Sequence, residues 1–372
     1  MKFVFASDSF KGSLSSTQIS SLLESEATAV FPNAECVCLP LADGGEGTVA
    51  AIASVRSGEF VPLYVFDALR RPIRRKLFIS DNHAFIEAAE TCGLGMLAES
   101  ERNPFATTSN GVGAFISHAL FHGCSHITVG LGGSSTNDGG MGCLRALGVR
   151  FLDKDGRELS GSGIDLERVA EIDESELYPQ VRDVDITVLS DVTNPLLGPS
   201  GATHVFAGQK GADRGAIDRL EAGMRNFANV IARTHPDADF DTPGYGAAGG
   251  LGMALSVFLG AHIEPGIEAM LQLLEFDKSL EGADLVITGE GRLDAQSLDG
   301  KAVSGVVSHA HREGVPVAII CGQADLTDTQ IQALDVAHII QTGAGQSANV
   351  AMQNAEDNYR HAARELFDRL RG

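Results

Sequence analysis

Several apolar runs in this chain end in turns that carry glycine, a carboxylate or both. They run from Phe3 to Asp8, Cys36 to Glu46, His126 to Gly142, Ile186 to Asn194 and Leu285 to Asp294. In the third, a β-branched stretch ending at Gly130 empties into Gly132-Gly-Ser-Ser-Thr-Asn-Asp138. Glycines there leave backbone N–H groups free to face an anion, which makes the loop a candidate phosphate cradle. Spacing alone leaves open a tight turn with no ligand. The turn Ala42-Asp-Gly-Gly-Glu-Gly-Thr48 is more telling, because turn geometry explains its three glycines but not both Asp43 and Glu46. Asp8-Ser9-Phe-Lys11 sits where a first strand should end, but by itself an Asp and a Lys three apart read as a solvated surface pair. Asp191-Val-Thr-Asn194-Pro195 reads equally as an Asx turn. The fifth turn, Thr288-Gly-Glu290-Gly-Arg292-Leu-Asp294, repeats the pattern.

Known nucleotide loops are absent. Gly130-Leu-Gly132 is followed three residues on by Ser135, so the dinucleotide fingerprint fails. Ala295 to Ala302, around Gly300 and Lys301, lacks the leading glycine and the final hydroxyl of a Walker A loop. No Gly-x-Ser-x-Gly elbow supports acyl transfer. Histidines are scattered, and His309 and His311 point to different faces of a predicted helix, so a zinc site is not expected. Asp, Glu, Asn, Lys and backbone amides remain. That set suits phosphoryl transfer: oxygen ligands for hydrated Mg2+, a cation for the moving phosphate, and a carboxylate to take a hydroxyl proton.

The elements that must hold these turns follow a βαβα opening. Phe3 to Ala6 reads as a buried strand, Thr17 to Val30 as a helix capped from Ser15, Ser16 or Thr17, and Glu35 to Leu41 as a second strand, with a helix ending at Val55. Phe60–Phe66, Arg74–Ser80 and Ala84–Ala88 alternate like antiparallel strands. Ser109 is placed to cap a helix over 111–121, a helix is expected near 143–147, and 246–260 reads as one glycine-rich buried helix. After 283, strands at 285–288, 315–321 and 338–341 alternate with helices at 303–313 and 348–371. The stretch 156–184 reads as an acidic surface excursion. The predicted fold is α/β: a Rossmann-like parallel-sheet domain from 1–60 plus 283–372, an inserted mixed α/β domain at 61–282, and an interdomain cleft.

Composition limits the partners. A formal net charge of −21 without a basic stripe argues against nucleic acid. No apolar run approaches the ~18 residues that would span a bilayer. The six cysteines form no Cys-x-x-Cys pair and read as reduced core thiols. Phe3 to Ala6 is too short for a signal-peptide core, so a cytoplasmic location is expected.

At these same turns the chain resembles the bacterial type I glycerate kinases. Family patterns match Ala6–Ser13, Ala42–Thr48, Gly132–Gly140, Asp191–Leu196, Gln209–Ala212, Gly246–Gly252 and Ile287–Arg292, in order over nearly the whole chain. Gly208, Val303 and Cys321 depart from it without removing a charged site residue. The resemblance implies ATP-dependent phosphorylation of D-glycerate with Mg2+, the 2-phosphate being the expected product. A 3-kinase, a kinase of another short sugar acid, or a non-catalytic hydroxy-acid sensor are the alternatives. On this basis Asp191, Lys11 and Asp8 are assigned catalysis, and Ser9, Asp43, Gly44, Gly45, Glu46, Asn194 and Arg292 substrate binding. Gly132, Gly133, Ser134, Thr136, Asn137 and Lys210 are assigned to the ATP cofactor, and Glu290 and Asp294 to metal. A homo-oligomer is compatible with all of this.

Overall fold

The computed structural model describes residues 1–298 and 301–372. Asp299 and Gly300, in the stretch compared above with a Walker A loop, lie outside the described residues. Contacts divide the chain into two compact units. One comprises Met1–Asp43, Ala50–Arg56 and Pro265–Gly372, the other Gly44–Val49 and Ser57–Glu264.

The first unit is built on a five-stranded sheet in the order His338–Gln341, Val317–Cys321, Leu285–Thr288, Lys2–Phe5, Glu35–Cys38. Every pairing is parallel, with Phe3 opposite Leu285 on one side and Cys36 on the other. Leu285–Thr288 and Val317–Cys321 are buried at every position, as expected of parallel strands covered on both faces. Helix Ser16–Val30 begins with a capping box: Ser15 Oγ accepts from Gln18 N–H, and Gln18 Oε1 accepts from Ser15 N–H. Helix Ala355–Arg371 packs beside it, bringing Phe367 edge-on to Phe3 with ring centroids 5.4 Å apart. Buried Glu26 on the first helix is held by Arg360 and Arg364 on the second.

The helix expected over 348–371 is interrupted. Ala348–Gln353 and Ala355–Arg371 are separate, and at the break Asn354 leaves helical geometry (φ −107°, ψ 22°) while its side-chain amide donates to the Val350 carbonyl. A side chain that bonds its own backbone in this way competes with helix continuation.

The second unit has a six-stranded sheet in the order His262–Glu264, Asp185–Leu189, His126–Gly130, His83–Glu87, Pro72–Ser80, Glu59–Phe66. The last three form an antiparallel meander, while His83–Glu87 pairs parallel with His126–Gly130. Glu87 and Gly130 therefore end side by side.

Three sequence expectations change here. Ser109 precedes helix Asn110–Phe121, yet its hydroxyl donates to Asp138 Oδ2 at 2.8 Å and accepts from Cys143 N–H instead of capping the helix. The 246–260 segment is a short turn, Ala247–Gly249, followed by helix Leu251–Leu259, with left-handed Ala248 and Gly250 breaking the helical path. The 156–184 stretch is anchored rather than peripheral. Arg150–Leu152 pairs with Glu171–Asp173, and Leu159, Leu166, Val169, Ile172 and Val181 are buried. Its apolar residues are spaced too widely to show a helix or strand period, which is why charge dominated the reading.

Candidate active site

In the first unit, Asp8 and Glu290 leave the C-terminal ends of neighbouring parallel strands, and Asp8 N–H donates to the Gly289 carbonyl at 2.9 Å. Strand ends of this kind are where open α/β sheets place ligands. A cavity of about 550 Å3 opens there, lined by Asp8, Ser9, Lys11, Asp43, Glu290, Arg292, Asp294 and Lys301 at its charged end. Gln323, Gln341, the 342–346 loop and Met352 line the rest.

Asp8 is buried, with Oδ1 accepting from Ser9 N–H at 2.6 Å. Burial first, and then the nearby Asp43 carboxylate, raise its pKa from 3.8 to about 7, with Ser9 N–H and Lys11 pulling the other way. Lys11 is the counterweight: its exposed Nζ lies 3.4 Å from Asp43 Oδ2, and Asp43 above all pushes its pKa upward. Burial also raises Glu290, against the opposing pull of the Ser297 hydroxyl and Lys301. Glu290 Oε1 is buried with no hydrogen-bond partner among the described residues. Arg292 is engaged by Asp325, Nη2 to Oδ2 at 2.6 Å, so its fork is already committed in part to a neighbour.

The second unit holds the two glycine turns, packed backbone to backbone. Gly132 N–H donates to the Gly44 carbonyl at 3.2 Å, and a Cβ on Gly130 would lie 2.4 Å from that same oxygen. Gly44 itself has φ +82° and sits against Leu189, so a side chain there is excluded twice over. Glu46 is exposed. Beneath the turn, buried Glu87 accepts from Gly47 N–H at 3.2 Å and Val49 N–H at 2.6 Å, capping helix Thr48–Val55. Burial raises Glu87 to about 7 in spite of those two bonds.

The Gly132 loop is likewise braced from behind. Asp138 accepts from the Ser109 backbone and hydroxyl and from Gly140 and Gly142 N–H. Lys210 is only 2 % exposed, and its Nζ donates to the Thr136 carbonyl at 2.6 Å and to Ser134 Oγ at 3.2 Å. Thr136 and Asn137 are fully buried, Asn137 Nδ2 reaching Thr203 Oγ1. Gly132 and Gly133 therefore form the accessible part of the loop, with Ser134 just beneath at 7 % exposure.

Asp191 lies two residues past strand Asp185–Leu189 and is half-buried. Asn194 donates from Nδ2 to the Ser200 carbonyl at 2.7 Å. The structure thus gathers Asp8, Ser9, Lys11, Asp43, Glu290, Arg292 and Asp294 around one cavity, and sets Gly44, Gly45, Glu46, the Gly132 loop, Asp191, Asn194 and Lys210 in the other unit. Sequence reading missed Glu87 and gave no role to Asp138 or Lys301. A carboxylate ending the apolar run Ala84-Phe-Ile-Glu87 was the available signal for the first.

The model of the glycerate kinase family matches residues 3–371. The chain belongs to the glycerate kinase family. It is 39% identical to glycerate 2-kinase of Escherichia coli K12 over 98% of this chain and 97% of that one. To glycerate kinase of Bacillus subtilis 168 it is 39% identical, over 98% and 94%. A crystal structure from Salmonella typhimurium LT2, described as a glycerate kinase 2, superposes with a TM-score of 0.87 at 40% identity, covering 100% of this chain and 98% of that one. Membership of the glycerate kinase family means phosphorylation of glycerate, with ATP as the donor that a kinase implies. No helix among the described residues is long and apolar enough to cross a membrane.

Proposed function

We propose that the enzyme transfers the terminal phosphoryl group of ATP to the 2-hydroxyl of D-glycerate, with Mg2+, in the cytoplasm. The observation that carries this reading is the meeting of Asp8, Ser9, Lys11, Asp43, Glu290 and Asp294 in one cavity from turns far apart in sequence. The 2-kinase name of the Escherichia coli relative supports the regiochemistry.

Mg2+ asks for hard oxygen ligands and needs only one or two carboxylates once water and phosphate complete its shell. The site fits that demand. Four carboxylates face one cavity, Glu290 Oε1 lacks a partner among the described residues, and Asp8 is repelled by Asp43. Glu290 and Asp294 would hold the ion, which would offset charge on the phosphates.

Lys11, exposed on its long stem, would neutralise charge on the transferring phosphoryl group. Asp8, with its pKa raised to about 7, is half ionised near neutrality, and its carboxylate form would accept the proton of a substrate hydroxyl. Asp191 is likewise proposed as a general base or a metal-organising acid. Ser9, Asp43 and Arg292 would orient the small acid at this cavity, and Gly44, Gly45, Glu46 and Asn194 of the other unit are proposed as substrate contacts on their motifs alone. Gln323, Gln341 and Met352 offer an amide and thioether wall suited to a purine.

Incubation with ATP, Mg2+ and either enantiomer of glycerate, followed by phosphorus NMR, tests the proposal. ADP with 2-phospho-D-glycerate is the expected outcome. A 3-phosphate would overturn the regiochemistry, and no ADP the reaction.

A further inference from the structure

We infer that Lys210 is a positioning residue that makes the Gly132–Asn137 loop a seat for an anionic oxygen group, a carboxylate or a phosphate, with Ser134 as the contacting side chain. The kinase reading above is needed only to say which anion arrives.

Burial of an ammonium is costly unless something uses the charge. Lys210 is buried, and no described carboxylate forms an ion pair with it. Its bonds go to a carbonyl and a hydroxyl of a single loop. Ammonium groups only donate, so Ser134 Oγ must be the acceptor of that bond. Its own proton is then directed elsewhere, and a hydroxyl polarised in this way is a stronger donor. The N–H groups of Gly133 and Ser134 donate to no other described residue, although Leu94 and Ser135 N–H on either side are paired. Three donors, two backbone N–H groups and one hydroxyl, therefore belong to adjacent residues beside a buried positive charge.

The groups facing Lys210 are Cys92 and Asp138, with Cys143 behind Asp138 and the Arg102 backbone against Gly211. Burial lowers Lys210 to about 8 and pushes the Cys92 thiol up to about 12. The cysteines thus stay neutral while the lysine titrates, and the loop loses its charge on the alkaline side.

The test uses the full chain and the variants Lys210→Met and Ser134→Ala. Binding of inorganic phosphate is followed by calorimetry, and KM is measured separately for glycerate and ATP across pH 6 to 10. Both variants should weaken phosphate binding and raise one KM by about 10- to 100-fold, the scale of a lost charge-assisted hydrogen bond. Lys210→Met should also abolish the part of the alkaline rise in that KM centred near 8. A raised KM for glycerate identifies a carboxylate seat, and for ATP a phosphate seat. Unchanged phosphate binding and both KM values within twofold in Ser134→Ala would overturn the inference, even if Lys210→Met failed to fold. If the chain makes no ADP yet phosphate binding falls in the variants, the kinase reading fails and this one stands.

Discussion

The two units use buried and exposed charge in opposite ways. In the first, carboxylates crowd an open cavity with Lys11 as an exposed counterion, and Asp8 is held in a state that a ligand or proton must relieve. In the second, Glu87, Asp138 and Lys210 are buried and spend their hydrogen bonds on backbone groups of the glycine turns and their surroundings. Charge that faces the open cavity is available for chemistry. Charge saturated by the main chain sets geometry.

Four substitutions test that division, beginning with the largest effect. Lys11→Met should lower kcat by about 100- to 1,000-fold and leave the thermal transition where it was, since the side chain is exposed and its ion pair contributes little to stability. A loss of folding instead would place Lys11 with the structural ions. Asp138→Ala should do the reverse at the level of the fold, costing about 3 to 5 kcal/mol in urea denaturation as four donors lose one buried acceptor. Full stability would break the comparison.

Glu87→Gln sits between them. An amide can satisfy only one of the two N–H groups that Glu87 now serves, so a loss of about 1 to 3 kcal/mol is expected, with a modest fall in activity. Smallest is the pH response of Asp8. Its pKa is near 3.8 unfolded and about 7 folded, so the native state binds more protons in between, and stability contributed by this group falls as pH rises through that window. Asp8→Asn should remove this decline and melt a few degrees higher than the wild type at pH 8, while losing turnover. Identical melting curves at pH 4 and pH 8 in both proteins would show that Asp8 is not strained.

Much of the first unit was legible because buried parallel strands are near-continuous apolar runs, and their ends stand out as Asp8, Glu290 and Asp294. The glycine turns were equally visible. What sequence could not supply was the direction of a charged side chain. Lys210 looks like a ligand-binding lysine beside Gln209 and Gly211, yet its amine turns inward to Thr136, 74 residues earlier. Arg292 looks like an anion fork, yet Asp325 engages part of it. The break at Ala248 escaped notice because an alanine with φ +51° contradicts local preference and is imposed by packing.

That same bend reaches further than its own residues. Gly249, at φ +68°, is pressed so closely on the Thr136 carbonyl that a Cβ would stand 2.1 Å from it, and this is the oxygen that Lys210 grips from another direction. The kink works as a depth gauge for a loop more than a hundred positions away. An alanine at 249 would leave every ligand-facing atom chemically intact while displacing the floor beneath them, so a mutational screen scored on turnover alone would mistake a spacer for a member of the reacting machinery.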